Sequence, residues 1–214
     1  MKIRYLGHSC FVLTESGGCS IVTDPYGDVG FCMPEISAHA VTVSHSHYDH
    51  CNLDSVRGVS ATFDRAGDYS FENTKISALE SWHDDAHGSK RGNNLIFKFG
   101  MDNLSVCHLG DLGEPCNDIL LEKIGHVDVL LIPIGGNFTI DAAQAKEYVD
   151  RIKPHVVIPM HYMQRGLNIP IAGPEKFLNL FQESQILKVG CEIGLSEADI
   201  SNNEPKIIVM ERAL

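Results

Sequence analysis

His45-Ser46-His47-Tyr48-Asp49-His50 follows directly on Ala40-Val41-Thr42-Val43-Ser44, an apolar run that reads as a buried strand. The histidine-rich run crowds four metal-capable side chains into a single short loop. His45 and His47, two apart on a chain still extended at a strand end, project to the same side. Asp49 and His50 come round the next turn and face a second point. A helical zinc-protease motif would space two histidines four apart with a glutamate beside the first, and that pattern is absent. H-x-H-x-D-H therefore reads as a two-centre metal arrangement. A His-rich tag would sit at a terminus without fold signals, whereas this run lies mid-chain before a helix-like segment at 52–57.

Three further candidates stand at predicted strand ends. His83 follows residues 75–80, Asp111 closes His108-Leu109-Gly110-Asp111, and His161 lies in Ile158-Pro159-Met160-His161-Tyr162. Trp82-His83-Asp84-Asp85-Ala86-His87 offers two histidines; His83 is preferred because it is the one at the strand end, which leaves His87 as a loop residue.

The chain of 214 residues fits one domain, residues 1–214, large enough to bury a sizeable core. Hydrophobic residues at 43% and charged residues at 21% are in the globular range, which argues against a disordered or fibrous chain. With 17 Lys plus Arg against 28 Asp plus Glu, the net charge is −11, and no basic cluster could track a phosphate backbone, so nucleic acid is not an expected partner. Charge and histidine in Met1-Lys2-Ile3-Arg4-Tyr5-Leu6-Gly7-His8 interrupt any signal-peptide core, and no run approaches the ~18 apolar residues of a membrane span. The expected location is the cytoplasm. Seven cysteines without C-x-x-C spacing argue against a disulfide framework and a structural zinc site.

Strand patterns occupy residues 2–6, 10–14, 19–23 and 40–44, with Gly17-Gly18 as a hairpin turn, and continue at 59–63, 74–80, 94–99 and 104–108. The second half alternates. Residues 127–134 and 155–160 are apolar throughout, as strands covered on both faces should be. Between them Asp141 and Gln144 form a capping signal, Ala142, Ala145, Val149 and Ile152 recur at helical spacing, and Pro154 ends the helix. Residues 174–181 predict another helix, and 186–189 and 206–210 predict closing strands. The pattern implies an α/β fold of two sheets with helices outside.

Taken in order, Thr23-Asp24-Pro25, the run 45–50, His83, His108-Leu109-Gly110-Asp111 and Pro159-Met160-His161-Tyr162 resemble the metallo-β-lactamase-fold hydrolases over nearly the whole chain. Leu6-Gly7-His8, Pro133-Ile134-Gly135-Gly136-Asn137 and Met160-His161-Tyr162 are similar to a group of metal-dependent hydrolases related to ascorbate-6-phosphate lactonase. The resemblance implies a four-layer αβ/βα sandwich of two mixed β-sheets with helices on the outer faces and the ligands on loops at one rim. It implies that His45, His47 and His83 bind one metal, that Asp49, His50 and His161 bind the other, and that Asp111 bridges them. A carboxylate suits that place because its charge offsets repulsion between cations only ~3.5–4 Å apart. Asp24 and His108 are expected to orient ligating imidazoles through the other ring nitrogen. His8, Arg91, Asn137 and Arg165 are the candidate substrate contacts.

The cofactors expected are two divalent transition-metal ions, zinc or manganese first, with nickel or iron chemically admissible. Such a pair lowers the pKa of a shared water toward ~7. Asp49 is the candidate catalytic group, able to orient that water or carry its proton. The expected reaction is hydrolysis of a small, anionic ester, lactone or phosphoester, and a homo-oligomer is compatible with it. Two other readings stay open: an iron-dependent oxygen-using enzyme of the same fold, and a metal-binding regulator without turnover.

Overall fold

Ile3 and Tyr5 alternate with Lys2 and Arg4 on one strand, and Phe11 and Leu13 lie two apart on the next, so these four buried side chains share one apolar face of a sheet. The computed structural model describes residues 1–200 and 204–214. The chain opens with β1 (Lys2–Gly7), β2 (Cys10–Thr14), β3 (Ser20–Thr23), β4 (Ile36–Ser37) and β5 (Ala40–Thr42). It continues through β6 (Val56–Arg57), β7 (Ala61–Phe63), β8 (Gly67–Phe71), β9 (Thr74–Trp82), β10 (Asn93–Met101) and β11 (Leu104–His108). Helix α1 (Asp118–Ile124), β12 (Val129–Pro133), α2 (Ala142–Ile152), β13 (Val156–Met160) and α3 (Glu175–Leu178) follow. The last strands are β14 (Ile186–Val189), β15 (Glu192–Gly194) and β16 (Lys206–Met210).

Two mixed sheets result. The first runs β15-β1-β2-β3-β5-β7, with parallel pairing from β3 to β7. The second runs β14-β16-β13-β12-β11-β10-β9-β8, antiparallel from β8 to β11 and parallel beyond. Their inner faces pack together: Tyr5, Phe11 and Ile21 from the first meet Phe97, Phe99, Leu131 and Ile158 from the second in one buried cluster. The two sheets thus form the expected sandwich, with its α-helices, among the described residues, over the second sheet alone.

The outer layers differ from each other. Over the second sheet, Leu120 and Ile124 of α1, Tyr148 and Val149 of α2 and Phe177 of α3 bury Cys107, Leu130, Ile132 and Val157. Helix α2 has the expected capping box between Asp141 and Gln144 and ends at Lys153 in the left-handed conformation before Pro154. Over the first sheet the cover is irregular chain, in which Tyr26, Val29, Leu167, Ile169 and Ile171 bury Val22 and Val41.

Local expectations needed three corrections. Residues 52–57 form one turn of 3₁₀ helix, Leu53–Ser55, before Val56 pairs with Ile36 in a small separate sheet. Six residues give too little propagation to offset helix nucleation. The helix expected at 174–181 contracts to α3, which ends with Asn179 as its C-cap. Strand β8, on the sheet edge, and α1, capped by the Asn117 side chain on Leu120 N–H, were not anticipated from sequence. One rim lies where β1, β3, β5, β9, β11 and β13 end: His8, Asp24, His83 and His161 follow their strands at once, and the 45–50 loop and Asp111 come shortly after β5 and β11.

Candidate metal centre

β5 ends in a buried polar hub. Asp24 accepts from Ser44 N–H at 2.7 Å with one oxygen, and with the other accepts from Ser44 Oγ at 2.6 Å and from His50 Nδ1 at 2.9 Å. Because Ser44 donates its one hydroxyl proton to Asp24, its lone pair accepts from His45 Nδ1 at 2.9 Å. One carboxylate thus fixes the tautomer of both imidazoles and leaves each Nε2 free. His83 is set the same way, its Nδ1 donating to the Phe138 carbonyl at 3.1 Å.

The free nitrogens converge on Asp111. Its Oδ2 lies 3.2 Å from Nε2 of His50 and of His161, 3.4 Å from that of His83 and 3.9 Å from that of His45. Ligand atoms of His45, His47 and His83 lie within 4.8 Å of one another, as do those of His8, Asp49, His50 and His161, and those of His45, His50 and Asp111. His45 Nε2, His50 Nε2 and Asp111 Oδ1 are buried without a hydrogen-bond partner. An unsatisfied buried group costs about 1–3 kcal/mol, more when charged, so three in one cluster call for a common partner. Divalent cations fit that need, and imidazole with carboxylate suits zinc, manganese or iron.

Electrostatics favour the same role. Burial and neighbouring His50 push His45 down to about 3, and burial lowers His83 as well, so both are neutral lone-pair donors at pH 7. Burial would also depress His50, but Asp111 and Asp24 outweigh it and raise this imidazole well above its ordinary value. Burial pushes Asp49 up, yet the hydrogen bond from His8 and the charge of His50 hold it well below the usual carboxylate range. A metal needs the His50 Nε2 lone pair, so a proton held there in the metal-free protein is released on loading, and affinity rises with pH up to that raised pKa. Calorimetric titration with zinc in buffers of different ionisation enthalpy is expected to show net proton release; a heat independent of buffer would contradict it.

A cavity of about 580 Å³ opens on this centre, with His47, Asp49, His83, Asp111 and His161 in its floor and Phe138, Ile169 and Pro170 in its wall. The chain matches the Beta-lactamase superfamily domain over residues 2–161. It belongs to the metallo-β-lactamase superfamily. A UPF0173 metal-dependent hydrolase from Carboxydothermus hydrogenoformans is 32% identical to it over 192 residues, covering 76% of this chain and 84% of the relative. A candidate zinc-dependent hydrolase of the superfamily from Thermotoga maritima has the same fold, with a TM-score of 0.80, 36% identity and 99% coverage of both chains. The diiron β-hydroxylase CmlA from Streptomyces venezuelae shares the fold alone, with a TM-score of 0.57 and 16% identity over 75% of this chain and 44% of its own. This superfamily member is a metal-dependent hydrolase, and a small-molecule substrate follows from that activity. Among its described residues no helix is long and apolar enough to cross a membrane.

The hydrolase brings the seven candidate ligands together and separates the two histidines of the 82–87 segment. His83 is 1% exposed beside Asp111, whereas His87 is exposed and meets the edge of Trp82. Arg91 lines the cavity. The other expected substrate contacts are placed differently. His8 is fully buried behind Asp49, donating from Nε2 to its carboxylate at 3.1 Å, because a φ of 54° turns the chain inward after β1. Asn137 spends its side-chain N–H on the Pro170 carbonyl at 2.9 Å and so braces the cavity wall. Arg165 is exposed and lies off that wall. His108 orients no ligand: its Nε2 donates to Ser9 O at 2.8 Å and its Nδ1 accepts from Gly110 N–H, tying the loop after β11 to the loop after β1.

Sequence reading missed three supports of the hydrolase site. Ser44 links His45 to Asp24; Asn94 accepts from Asp111 N–H at 2.9 Å; and Asp84 accepts from the N–H groups of Ala86, Gly88, Lys90 and Arg91, which shapes the loop between His83 and Arg91. A capping-type Asp near two glycines was the available signal for Asp84. In Asp24→Asn either orientation of the amide turns an N–H toward a donor, so the orientation of His45 and His50 is lost. Zinc affinity is expected to fall roughly 10–100-fold, measured by competition with a chelator; wild-type affinity in a folded variant would remove Asp24 from this role.

Proposed function

We propose that the hydrolase cleaves a small anionic ester, lactone or phosphoester using two divalent ions, zinc or manganese, one held by His45, His47 and His83, the other by Asp49, His50 and His161, with Asp111 shared. The observation that carries this reading is the position of Asp111, a buried carboxylate with one unpartnered oxygen amid four imidazoles. When bound, the ions would supply Lewis-acid polarisation of the scissile group and a water acidic enough to react near neutral pH.

The chain's own residues do the rest. Asp49, whose side chain is 13% exposed on the cavity floor, orients the attacking water and accepts its proton, while the neutral His8, lowered by burial to about 4, holds the carboxylate from behind. As the water oxygen bonds to the carbonyl carbon or phosphorus, the bond to the leaving oxygen breaks and the proton passes from Asp49 to that oxygen. Arg91, stacked over the Phe138 ring at 5.4 Å and donating to Asn137 O, is the cation available at the cavity for an anionic substrate, which the net charge of −11 would otherwise repel. Arg91→Ala is expected to raise KM roughly tenfold with bound metal unchanged, in keeping with a charge-assisted hydrogen bond made equally in ground and transition states; unaltered KM would argue for a neutral substrate. The seven unpaired cysteines support a reducing, cytoplasmic setting.

The deciding experiment is hydrolysis profiling of protein reconstituted separately with zinc, manganese, nickel and iron against phosphodiesters, lactones, thioesters and amides, with oxygen uptake recorded. Turnover of an ester, lactone or phosphoester without oxygen uptake supports the proposal. Turnover confined to the iron form with oxygen consumed would replace it with oxygenase chemistry, and stoichiometric metal binding with no turnover in any class would favour a regulator.

A further inference from the structure

The cavity wall and the metal-facing floor have opposite character. Around the polar floor stand Tyr48, Phe138, Ile169 and Pro170, with Arg91 as the one charged side chain among the wall residues. Tyr48 is 62% exposed although it lies between His47 and Asp49 at the centre of the proposed ligand loop. Its backbone is not free: Gly27 N–H donates to the Tyr48 carbonyl at 3.1 Å, and a Cβ at residue 27 would come within 3.2 Å of that oxygen. The loop is therefore pinned while an aromatic ring is left open to the cavity. A solvent-exposed tyrosine ring at the cavity gains when an apolar ligand group covers it.

The segment that carries Ile169 and Pro170 is equally preformed. Asn168 N–H donates to Val29 O and Ala172 N–H to Gly135 O, both within 3 Å, and Asn137 holds Pro170 O between them. Ile169 is thereby anchored in the hydrophobic cover of the first sheet while it lines the cavity. A rigid apolar wall gains contact energy without an ordering cost, and it selects by shape.

Resting on the hydrolase reading above, we infer that the substrate carries a flat apolar group, of aromatic size, beside its reacting ester or phosphoester, and that Tyr48, Ile169 and Pro170 hold this group and set specificity. Arg91 and the metal floor then take the charge, and the apolar wall takes the remainder. A substrate that is polar throughout would leave this wall wet.

The test compares ligands of equal charge. Methylphosphonate, phenylphosphonate and 2-naphthylphosphonate are titrated calorimetrically into wild-type protein loaded with two zinc ions, as verified by elemental analysis. Phenyl- and naphthylphosphonate are expected to bind roughly tenfold or more tightly than methylphosphonate. Tyr48→Ala should compress this aryl-over-methyl ratio, and Tyr48→Phe, which keeps the ring and loses only the hydroxyl, should restore it. Ile169→Ala, which is neither a proposed ligand nor the chain neighbour of one, should compress it too and stands in for Tyr48→Ala where that variant loads less metal. Equal affinities across the three ligands, failure of all three to bind, or an unchanged ratio in Ile169→Ala would overturn the inference. An aryl preference in binding with no turnover of any matched ester would instead overturn the hydrolytic proposal and leave the apolar subsite standing.

Discussion

Asp111→Ala is expected to leave the protein with one metal ion bound or none and to reduce hydrolysis by on the order of a thousandfold. Removing the side chain deletes the one carboxylate within 3.9 Å of four imidazole nitrogens, so the cations lose both a ligand and the negative charge between them. Several kcal/mol of transition-state stabilisation corresponds to that rate loss at about 1.4 kcal/mol per tenfold. Burial raises the Asp111 pKa but His161 and His50 more than reverse this, holding it well below the ordinary range. In the metal-free protein this group therefore contributes stability above its unfolded pKa, lost as pH falls through the folded one, and the variant should be less acid-sensitive than wild type. Elemental analysis decides the matter: two ions retained in folded Asp111→Ala would remove the residue from the bridging role.

His83→Ala and His87→Ala form the second comparison. His83 faces Asp111 from β9 and has its ring fixed by the Phe138 carbonyl, whereas His87 is exposed with φ at 53° and its ring edge on Trp82. His83→Ala should lower zinc occupancy at one site and depress kcat/KM at least a hundredfold, on the order of the loss of several kcal/mol from one ligand. His87→Ala should keep both within about twofold, as surface substitutions usually do. Occupancy lost in His87→Ala and kept in His83→Ala would reverse the assignment.

The parts of this site that were readable from sequence are those whose chemistry is local. H-x-H-x-D-H declares itself because its members share one loop, and His83, Asp111 and His161 do so because each ends an apolar strand. Strand periodicity likewise outlined both sheets. What stayed hidden depends on partners far along the chain. Ser44 is an ordinary strand-end serine until Asp24 comes to lie beside it, and Asn94 is a strand residue until Asp111 N–H reaches its side chain. His8 was read as facing substrate because a rim position says nothing of the left-handed turn that sends its ring behind Asp49. Gly113 illustrates a middle case. Its place beside Asp111 suggests a close backbone approach, but only the folded chain shows that a Cβ there would lie 2.4 Å from the His83 carbonyl oxygen, too close for any side chain.

The irregular cover over the first sheet ties two properties to one residue. Ile169 packs with Val22 and Val41 on one side and borders the cavity on the other. Evolution therefore has little freedom to reshape this wall alone: a smaller residue that admits a bulkier substrate also thins the lid over a β-sheet, and a larger one that narrows the cavity strains it. Drift in substrate range along this lineage should have been channelled toward Tyr48, whose ring projects into open space, and away from the segment that doubles as hydrophobic cover.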